Sequence, residues 1–288
     1  MTSAATSVSC PVNGLPARLY CRKGGAAYYF EPSSGTIFQA QMPSVRAMNE
    51  YADDEYLTGV YREYAKSRDL KIATARPRLA AIKQRANGKR LLDIGCATGF
   101  FMETAVEEGF DVRGVEFSSV AISLARPDIR DRILHGDVNT LLGQEAEKFD
   151  VVTAFDIIEH VQDPAKFLQD IREILKPGGV LVVSSPDTGH VLRYVMRSKW
   201  PMLQPMQHTV LFSRRSIAAL LERCGFHDVQ VETAHKVLTM DYLADQLMAT
   251  NPKLNRAYQI LSWIVPAPLR RRRLAVNIGE FVAYARRA

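Results

Sequence analysis

The sequence predicts an α/β fold in which helices cover both faces of a parallel sheet. Three observations carry this. From Lys89 onward, short apolar runs alternate with helical patterns. Runs such as Phe149–Phe155 and Val180–Ser184 are apolar almost throughout, as strands buried on both faces must be. Glycines stand at the ends of these segments, at 95, 109, 178, 179 and 225, where strand and helix must be joined by short turns.

Each element follows in order. Residues 1–40, rich in Gly, Ser, Pro and aromatics, read as short strands and turns. Residues 44–86 read as helical, and Pro77, which has no N–H to donate, is expected to break or start a helix there. Arg90–Gly95 is the first strand of the alternation. Phe101–Glu108 is a helix closed by Gly109, and Asp111–Glu116 is the second strand. Ser118–Ala125 is a helix capped by Ser118 or Ser119. Asp131–Gly136 and Phe149–Phe155 are the third and fourth strands. Pro164–Leu175 is an amphipathic helix with Phe167, Leu168, Ile171, Ile174 and Leu175 on one stripe. Pro177-Gly-Gly turns the chain into Val180–Ser184. Ser216–Cys224 is a helix stopped by Gly225, Asp228–Glu232 a sixth strand, and Glu280–Ala285 the last.

Composition bounds the function. The 288 residues are 47% hydrophobic and 24% charged, which excludes disordered, collagen-like and coiled-coil chains. The net charge of +6 is concentrated, because residues 251–288 carry eight Lys/Arg against Glu280 alone. That argues against a uniformly basic nucleic-acid binder and leaves a basic face near the C-terminus. Four cysteines in this length make no disulfide scaffold. Met1–Ser9 has no signal-peptide pattern. The apolar stretch Ile260–Leu269 contains two prolines and falls short of the roughly 20 residues that span a bilayer. A cytoplasmic protein is the expectation.

The chemistry starts at Leu91-Leu-Asp-Ile-Gly-Cys-Ala-Thr-Gly-Phe-Phe101. Gly95 and Gly99 let the backbone turn sharply, and the next helix begins there with its N–H groups facing the crevice at the strand end. The Gly-x-x-x-Gly spacing departs from the Gly-x-Gly-x-x-Gly of dinucleotide sites. The second strand ends in Glu116, whose carboxylate can accept both hydroxyls of a ribose. The third ends in Gly136-Asp137, where an acid can accept from an adenine amino group. Any one of these is also an ordinary strand-end acid. Asp93, Glu116 and Asp137 at three successive strand ends describe a nucleoside site.

Residues 89–186 and 207–232 resemble a class I S-adenosylmethionine-dependent methyltransferase. The matching text is LLDIGCATGFF, GVEFS, GDV, FDVVTAFDIIEHVQDPAKFL, LKPGGVLVVSSP and QHTVLFSRRSIAALLERCGF. The last piece resembles the branch with small-molecule, sugar-linked and quinone-type acceptors. The resemblance implies a Rossmann-like sheet of seven strands, the last antiparallel and inserted beside the fifth, which suits Gly279–Ala285. It implies S-adenosyl-L-methionine as cofactor. Asp93, Gly95 and Gly99 would hold its methionine end, Glu116 its ribose, and Asp137 with Val138 its adenine, with Cys96, Phe100 and Phe117 also at the cofactor. Asp156 would lie near the methyl group, with Glu159 and His160 just beyond.

In ubiquinone-type O-methyltransferases a similar acid-x-x-Glu-His run can bind a divalent cation. Such clusters also serve structural networks, and no metal is expected here. His160 suits a general base, with an ordinary pKa near 6.5. His208 lies in Met206-Gln-His-Thr-Val-Leu-Phe212, where Gln207 replaces the family's usual Glu. It either handles the acceptor or serves as a structural histidine.

The N-terminal segment resembles the small zinc ribbon that precedes some of these enzymes. Its two knuckles read Cys10-Pro-Val-Asn13 and Cys21-Arg-Lys-Gly24. Two of the four ligands that a structural zinc needs are missing, so no zinc is expected. Tyr51-Ala-Asp-Asp-Glu-Tyr56 resembles the family's cap over the cofactor, with Tyr56 either closing on it or packing.

The domains expected are a degenerate ribbon-like module over 1–40, a helical cap over 41–88, and a cofactor-binding domain over 89–288. That domain carries insertions at about 187–207 and 234–277. Both insertions leave from the carboxyl edge of the sheet, on the cofactor's side. The first carries Arg193, Arg197, Lys199 and Trp200; the second carries Leu238, Met240, Leu243, Leu247 and Met248 and then Arg270–Arg273. This rim suits an anionic, partly apolar acceptor or peripheral contact with an acidic membrane through the basic C-terminal segment. The function expected is methyl transfer to a small or lipid-linked acceptor, at oxygen. A cofactor-binding scaffold without transfer is the alternative. Nucleic-acid methylation is the weaker one, because Phe155-Asp156-Ile157 lacks the Asn/Asp-Pro-Pro-aromatic signature.

Overall fold

The structure, a computed structural model, describes residues 8–57, 67–142, 148–244, 258, 262 and 264–288. Strands β1 (Val8–Ser9), β2 (Pro16–Lys23), β3 (Ala26–Glu31) and β4 (Thr36–Gln39) form an antiparallel N-terminal meander. Helices α1 (Val45–Leu57) and α2 (Arg68–Arg85) follow. Then β5 (Arg90–Ile94), α3 (Phe100–Glu107), β6 (Asp111–Glu116), α4 (Ser119–Ser123), α5 (Pro127–Arg130) and β7 (Ile133–His135) alternate. The chain continues through α6 (Val138–Leu142), β8 (Phe149–Phe155), α7 (Pro164–Ile174) and β9 (Leu175–Pro186). It ends with α8 (Val191–Met196), β10 (Val210–Leu211), α9 (Arg214–Arg223), β11 (Phe226–Leu238), α10 (Ala267–Arg270) and β12 (Leu274–Arg287).

The main sheet has seven strands in the order β11-β12-β9-β8-β5-β6-β7. β5 runs parallel to both β6 and β8, and β8 parallel to β9. β12 is antiparallel between β9 and β11. Alternate strand residues feed opposite layers, as the pleat requires. Leu91, Val151 and Val182 pack with Leu79, Ile82 and Met102 of α2 and α3. Leu92, Val152 and Leu181 pack with Leu168, Ile171 and Leu220 of α7 and α9.

The helices and strands lie where the patterning puts them, with three differences. Pro77 does not interrupt a helix but sits inside α2. An interior proline costs about 3 kcal/mol. Thr74, Ala75, Leu79 and Ile82 are buried along the same helix, and their packing outweighs that cost. β9 begins at Leu175, so Pro177-Gly-Gly lies within an irregular strand rather than before it. β11 and β12 pair as far as Leu238 and Leu274, which shortens the second insertion. Leu247 and Met248, and part of Ile260–Leu269, lie outside the described residues. Among the described residues no helix is long and apolar enough to cross a membrane.

The N-terminal meander gains a fifth strand from the rest of the chain, because β10 pairs antiparallel with β4. Where a ribbon would carry zinc ligands, Asn13 donates to the Glu31 carboxylate at 2.8 Å. Glu31 also accepts from the Ser33 and Ser34 N–H groups at 2.8 Å and from the Ser34 hydroxyl at 2.5 Å. Burial raises the Glu31 pKa, but the Ser34, Ser33 and Asn13 donors outweigh it and hold it at about 2. Stability from this depressed carboxylate is complete above its unfolded value. It is lost as pH falls through about 2. Glu31→Ala should strand these donors, cost about 1–3 kcal/mol and remove the acid-sensitive part of the melting curve, as read by circular dichroism.

Candidate active site

One turn and several acids gather at the carboxyl ends of β5, β6 and β8. After β5 the backbone is left-handed at Gly95 and Gly99, with φ of +67° and +77°. A side chain at 95 would meet Ile157 Cδ1 at 2.1 Å, and one at 99 would meet Ile129 Cγ2 at 2.4 Å. Both backbone sign and close packing therefore demand glycine, and Ile157 forms the wall opposite the turn. Gly99 caps α3, whose first residue, Phe100, is buried, as is Cys96. Burial pushes the Cys96 thiol up, so it stays a thiol.

Glu116 is only 4% exposed at the tip of β6. Its two oxygens each accept one backbone N–H, from Ala97 at 2.8 Å and Ser118 at 2.9 Å. Burial raises its pKa and those N–H groups work against it. The Ser118 hydroxyl donates to Asp53 of α1 at 2.5 Å, so the preceding helix reaches this strand end. Asp93, on β5, accepts from the Thr153 hydroxyl at 2.7 Å. Burial pushes it up to about 7, with Glu116 adding to the effect against the Thr153 bond. Asp137 stands exposed beyond β7, where its carboxylate caps α6 by accepting from the Thr140 N–H at 3.0 Å. Phe117 is half-buried and Val138 buried beside it.

The second half of the site lies beyond β8. Asp156 is left-handed, with φ of +57°. It accepts from the Ser184 hydroxyl at 2.7 Å and from Lys236 Nζ at 2.9 Å. Lys236 also donates to Glu280 at 2.5 Å. Burial alone would raise the Asp156 pKa, but Lys236 and Arg78 hold it well below the ordinary range. Burial lowers the Lys236 pKa, but Asp156 and Glu280 more than restore it, so Lys236 stays charged. Arg78 of α2 lies 4.7 Å from the Phe155 ring centre. Burial, then the Lys236 charge, bring Lys71 of α2 down to about 8. The roles of Lys71, Arg78, Lys236 and Glu280 are not legible from motif spacing. The available signal is a charge in an otherwise apolar strand, as at Lys236 and Glu280.

Glu159 is 1% exposed, and its Oε2 has no hydrogen-bond partner among the described residues. Burial, then Asp156, push it well above the ordinary carboxylate range. His160 Nδ1 lies 3.1 Å from the Gln207 carbonyl, and His208 Nδ1 lies 2.7 Å from the Met202 carbonyl. The rings meet edge to face at 5.0 Å. Burial lowers the His160 pKa, and burial with the His160 neighbour brings His208 to about 3. One ligand atom from each of Glu159, His160 and His208 lies within 4.8 Å of the others. The structure thus brings these three predicted residues together, next to Asp156. Tyr56 is half-buried on α1.

A seven-stranded sheet with β12 antiparallel beside β9, a left-handed glycine turn after β5 and a polar cluster beyond β8 mark the methyltransferase class. The methyltransferase domain family matches residues 63–231, more than half of the chain, and the chain belongs to that family. The ubiquinone biosynthesis O-methyltransferase of Histophilus somni is 36% identical over 120 residues, covering 38% of this chain and 50% of that protein. Its counterpart from Pasteurella multocida is 34% identical over 125 residues, covering 38% and 52%. The chain thus spans about half the length of the curated relatives it matches. A SAM-dependent methyltransferase from Archaeoglobus fulgidus superimposes with a TM-score of 0.52 at 19% identity, covering 83% of this chain and 99% of that one. Magnesium protoporphyrin IX methyltransferase from Synechocystis, with bound SAH, gives 0.54 at 13% identity, covering 84% and 100%. Both share the fold.

Proposed function

We propose that this chain transfers a methyl group from S-adenosyl-L-methionine to an oxygen of a small or lipid-linked acceptor. The observation that carries the reading is the row of acids at adjacent strand tips, Asp93, Glu116 and Asp137, beside the Gly95–Gly99 turn. Its residues fit the cofactor. Glu116 accepts the Ala97 N–H on one oxygen and the Ser118 N–H on the other, with the Phe117 N–H beside them, and the remaining acceptor capacity of the carboxylate suits the ribose hydroxyls. Thr98 Oγ1 and Arg78 Nη2 are buried without hydrogen-bond partners among the described residues. A methionine end, with carboxylate and ammonium, supplies what both lack.

The roles follow. Arg78 receives the methionine carboxylate and Asp93 faces the ammonium. Phe117, Asp137 and Val138 border the adenine. The sulfonium supplies an already activated methyl, so the protein's task is alignment of the nucleophile. His160, assisted by Glu159 and His208, accepts the proton that the acceptor hydroxyl loses. A second reading is favoured by the donor set itself. A carboxylate and two imidazoles, each imidazole anchored at Nδ1 by a carbonyl, suit a divalent cation. Glu159, His160 and His208 would hold it, and it would lower the hydroxyl pKa.

Cofactor binding should be linked to Asp93. Its pKa near 7 leaves it partly protonated at neutral pH, and a cationic ligand favours the ionised form. Affinity should therefore fall as pH drops below about 7 and level off above it, with proton release on binding. Calorimetry in buffers of different ionisation enthalpy reads this. Asp93→Asn should abolish the proton release and flatten the dependence.

The name of the relatives, and the rim of the crevice, favour an acceptor related to quinone precursors. α8, in the first insertion, exposes Val191, Leu192, Tyr194 and Val195. Residues 188–206 contain no acid, and Arg197 and Lys199 are exposed there. In contrast, Arg270, Arg271 and Arg273 of the C-terminal run are ion-paired with Asp241 or Asp69. Membrane contact is thus assigned to α8 more than to that run. Val191→Ser with Val195→Ser should lower sedimentation with anionic phospholipid vesicles at least about tenfold, from two lost apolar burials.

A further inference from the structure

The N-terminal meander holds the segment that orients both histidines. Gln39, at the end of β4, is 2% exposed. Its backbone N–H donates to the Thr209 carbonyl at 3.0 Å. Its side-chain amide donates to the His208 carbonyl at 2.8 Å and to the Pro205 carbonyl at 3.0 Å. Both amide hydrogens are thereby committed to the turn around 205–208. That turn closes on itself through Gln207 and His208 N–H groups, which both donate to the Gln204 carbonyl.

Other contacts attach the same insertion to the meander. The Thr188 hydroxyl donates to the Gly35 carbonyl at 2.6 Å, and Lys23 Nζ to the Trp200 carbonyl at 3.1 Å. Trp200 and Leu203 share a core cluster with Tyr28, Ile37 and Leu211. The acceptor-side insertion is therefore seated on the meander, while the main sheet carries the cofactor crevice.

The Met202 carbonyl decides the His208 tautomer. A carbonyl only accepts, so the His208 Nδ1 beside it carries the proton. In a neutral imidazole Nε2 is then the lone pair.

We propose that Gln39 is a positioning residue of the transferase. By gripping the Pro205 and His208 carbonyls it fixes the 202–208 turn, and that turn presents His208 with Nδ1 protonated and Nε2 free and anchors the His160 ring through the Gln207 carbonyl. The inference rests on the acceptor-handling roles assigned above, and it gives the zinc-ligand-depleted meander a task in the site. Either role for the His208 imidazole, assisting proton acceptance or binding a cation, uses the same Nε2 lone pair.

The test uses the full chain with ¹⁵N-labelled histidine and long-range proton–nitrogen NMR, His160→Gln and His208→Gln assigning the two rings. In the wild type His208 should show a protonated Nδ1 and an unprotonated Nε2. Gln39→Leu removes both donors at similar size. It should leave S-adenosylmethionine affinity within about twofold, give mixed tautomers for His208, and slow methyl transfer to a catechol probe at least about tenfold. Gln39→Glu, which keeps one donor when protonated, should fall between and serves if the leucine variant does not fold. A wild-type spectrum with Nε2 protonated on His208 overturns the proposal. So do tautomers unchanged in the folded Gln39 variant. Absence of cofactor binding by the wild type would instead overturn the transferase reading and leave the tautomer result standing on its own.

Discussion

Glu116→Ala is expected to weaken S-adenosylmethionine binding about 10²–10⁴-fold. Two hydrogen bonds to a charged acceptor are lost, each worth about 1.5–3 kcal/mol, and a factor of ten is about 1.4 kcal/mol. The loss has a second source in this fold. Glu116 ties the Ala97 and Ser118 N–H groups together, so its removal also loosens the glycine turn against β6. Glu116→Gln keeps one acceptor and should give an intermediate loss. Asp137→Ala should cost only a few-fold, because Asp137 is exposed and already capping α6. Calorimetric titration of the three variants gives the order, and melting curves without ligand separate loosening from lost contacts.

His160→Ala is expected to lower methyl transfer to a catechol acceptor about 10²–10⁴-fold, the range of a positioned general base, with cofactor affinity unchanged. Burial lowers the His160 pKa below its ordinary 6.5, so the wild-type imidazole is neutral and competent at pH 7. The wild-type rate should therefore be flat near neutrality and decline only as acid protonates the ring. The alanine variant should lose that acid limb. Sensitivity of the wild type to a chelator, restored by a divalent cation, would favour the cation reading of the same three residues.

The parts of this protein that speak through local chemistry were legible in the sequence. β6 and β8 span Asp111–Glu116 and Phe149–Phe155, where the apolar runs put them, because a strand buried on both faces leaves no other pattern. The positions of Asp93, Glu116 and Asp137 near the ends of β5, β6 and β7 were legible for a related reason, since an acid interrupts or follows each short strand. Pro77 misled because Leu79 and Ile82 pack against Leu91, Met102 and Val151, which lie far from α2 in sequence. Arg78, Lys236 and Glu280 were hidden because their partners lie on other strands. The Lys236–Asp156 contact spans 80 residues, and no local spacing encodes it. Gln39 was hidden in the same way, since the carbonyls it holds lie 166 and 169 residues further along the chain.

A sulfonium nucleoside lying across the tips of β5, β6 and β7 underlies every role proposed above. Calorimetric titration of S-adenosylmethionine into the intact wild-type chain tests this most directly. One equivalent should bind, displaced by S-adenosylhomocysteine and unaffected by a nicotinamide dinucleotide. A flat titration, or binding of the dinucleotide in its place, would contradict the central claim.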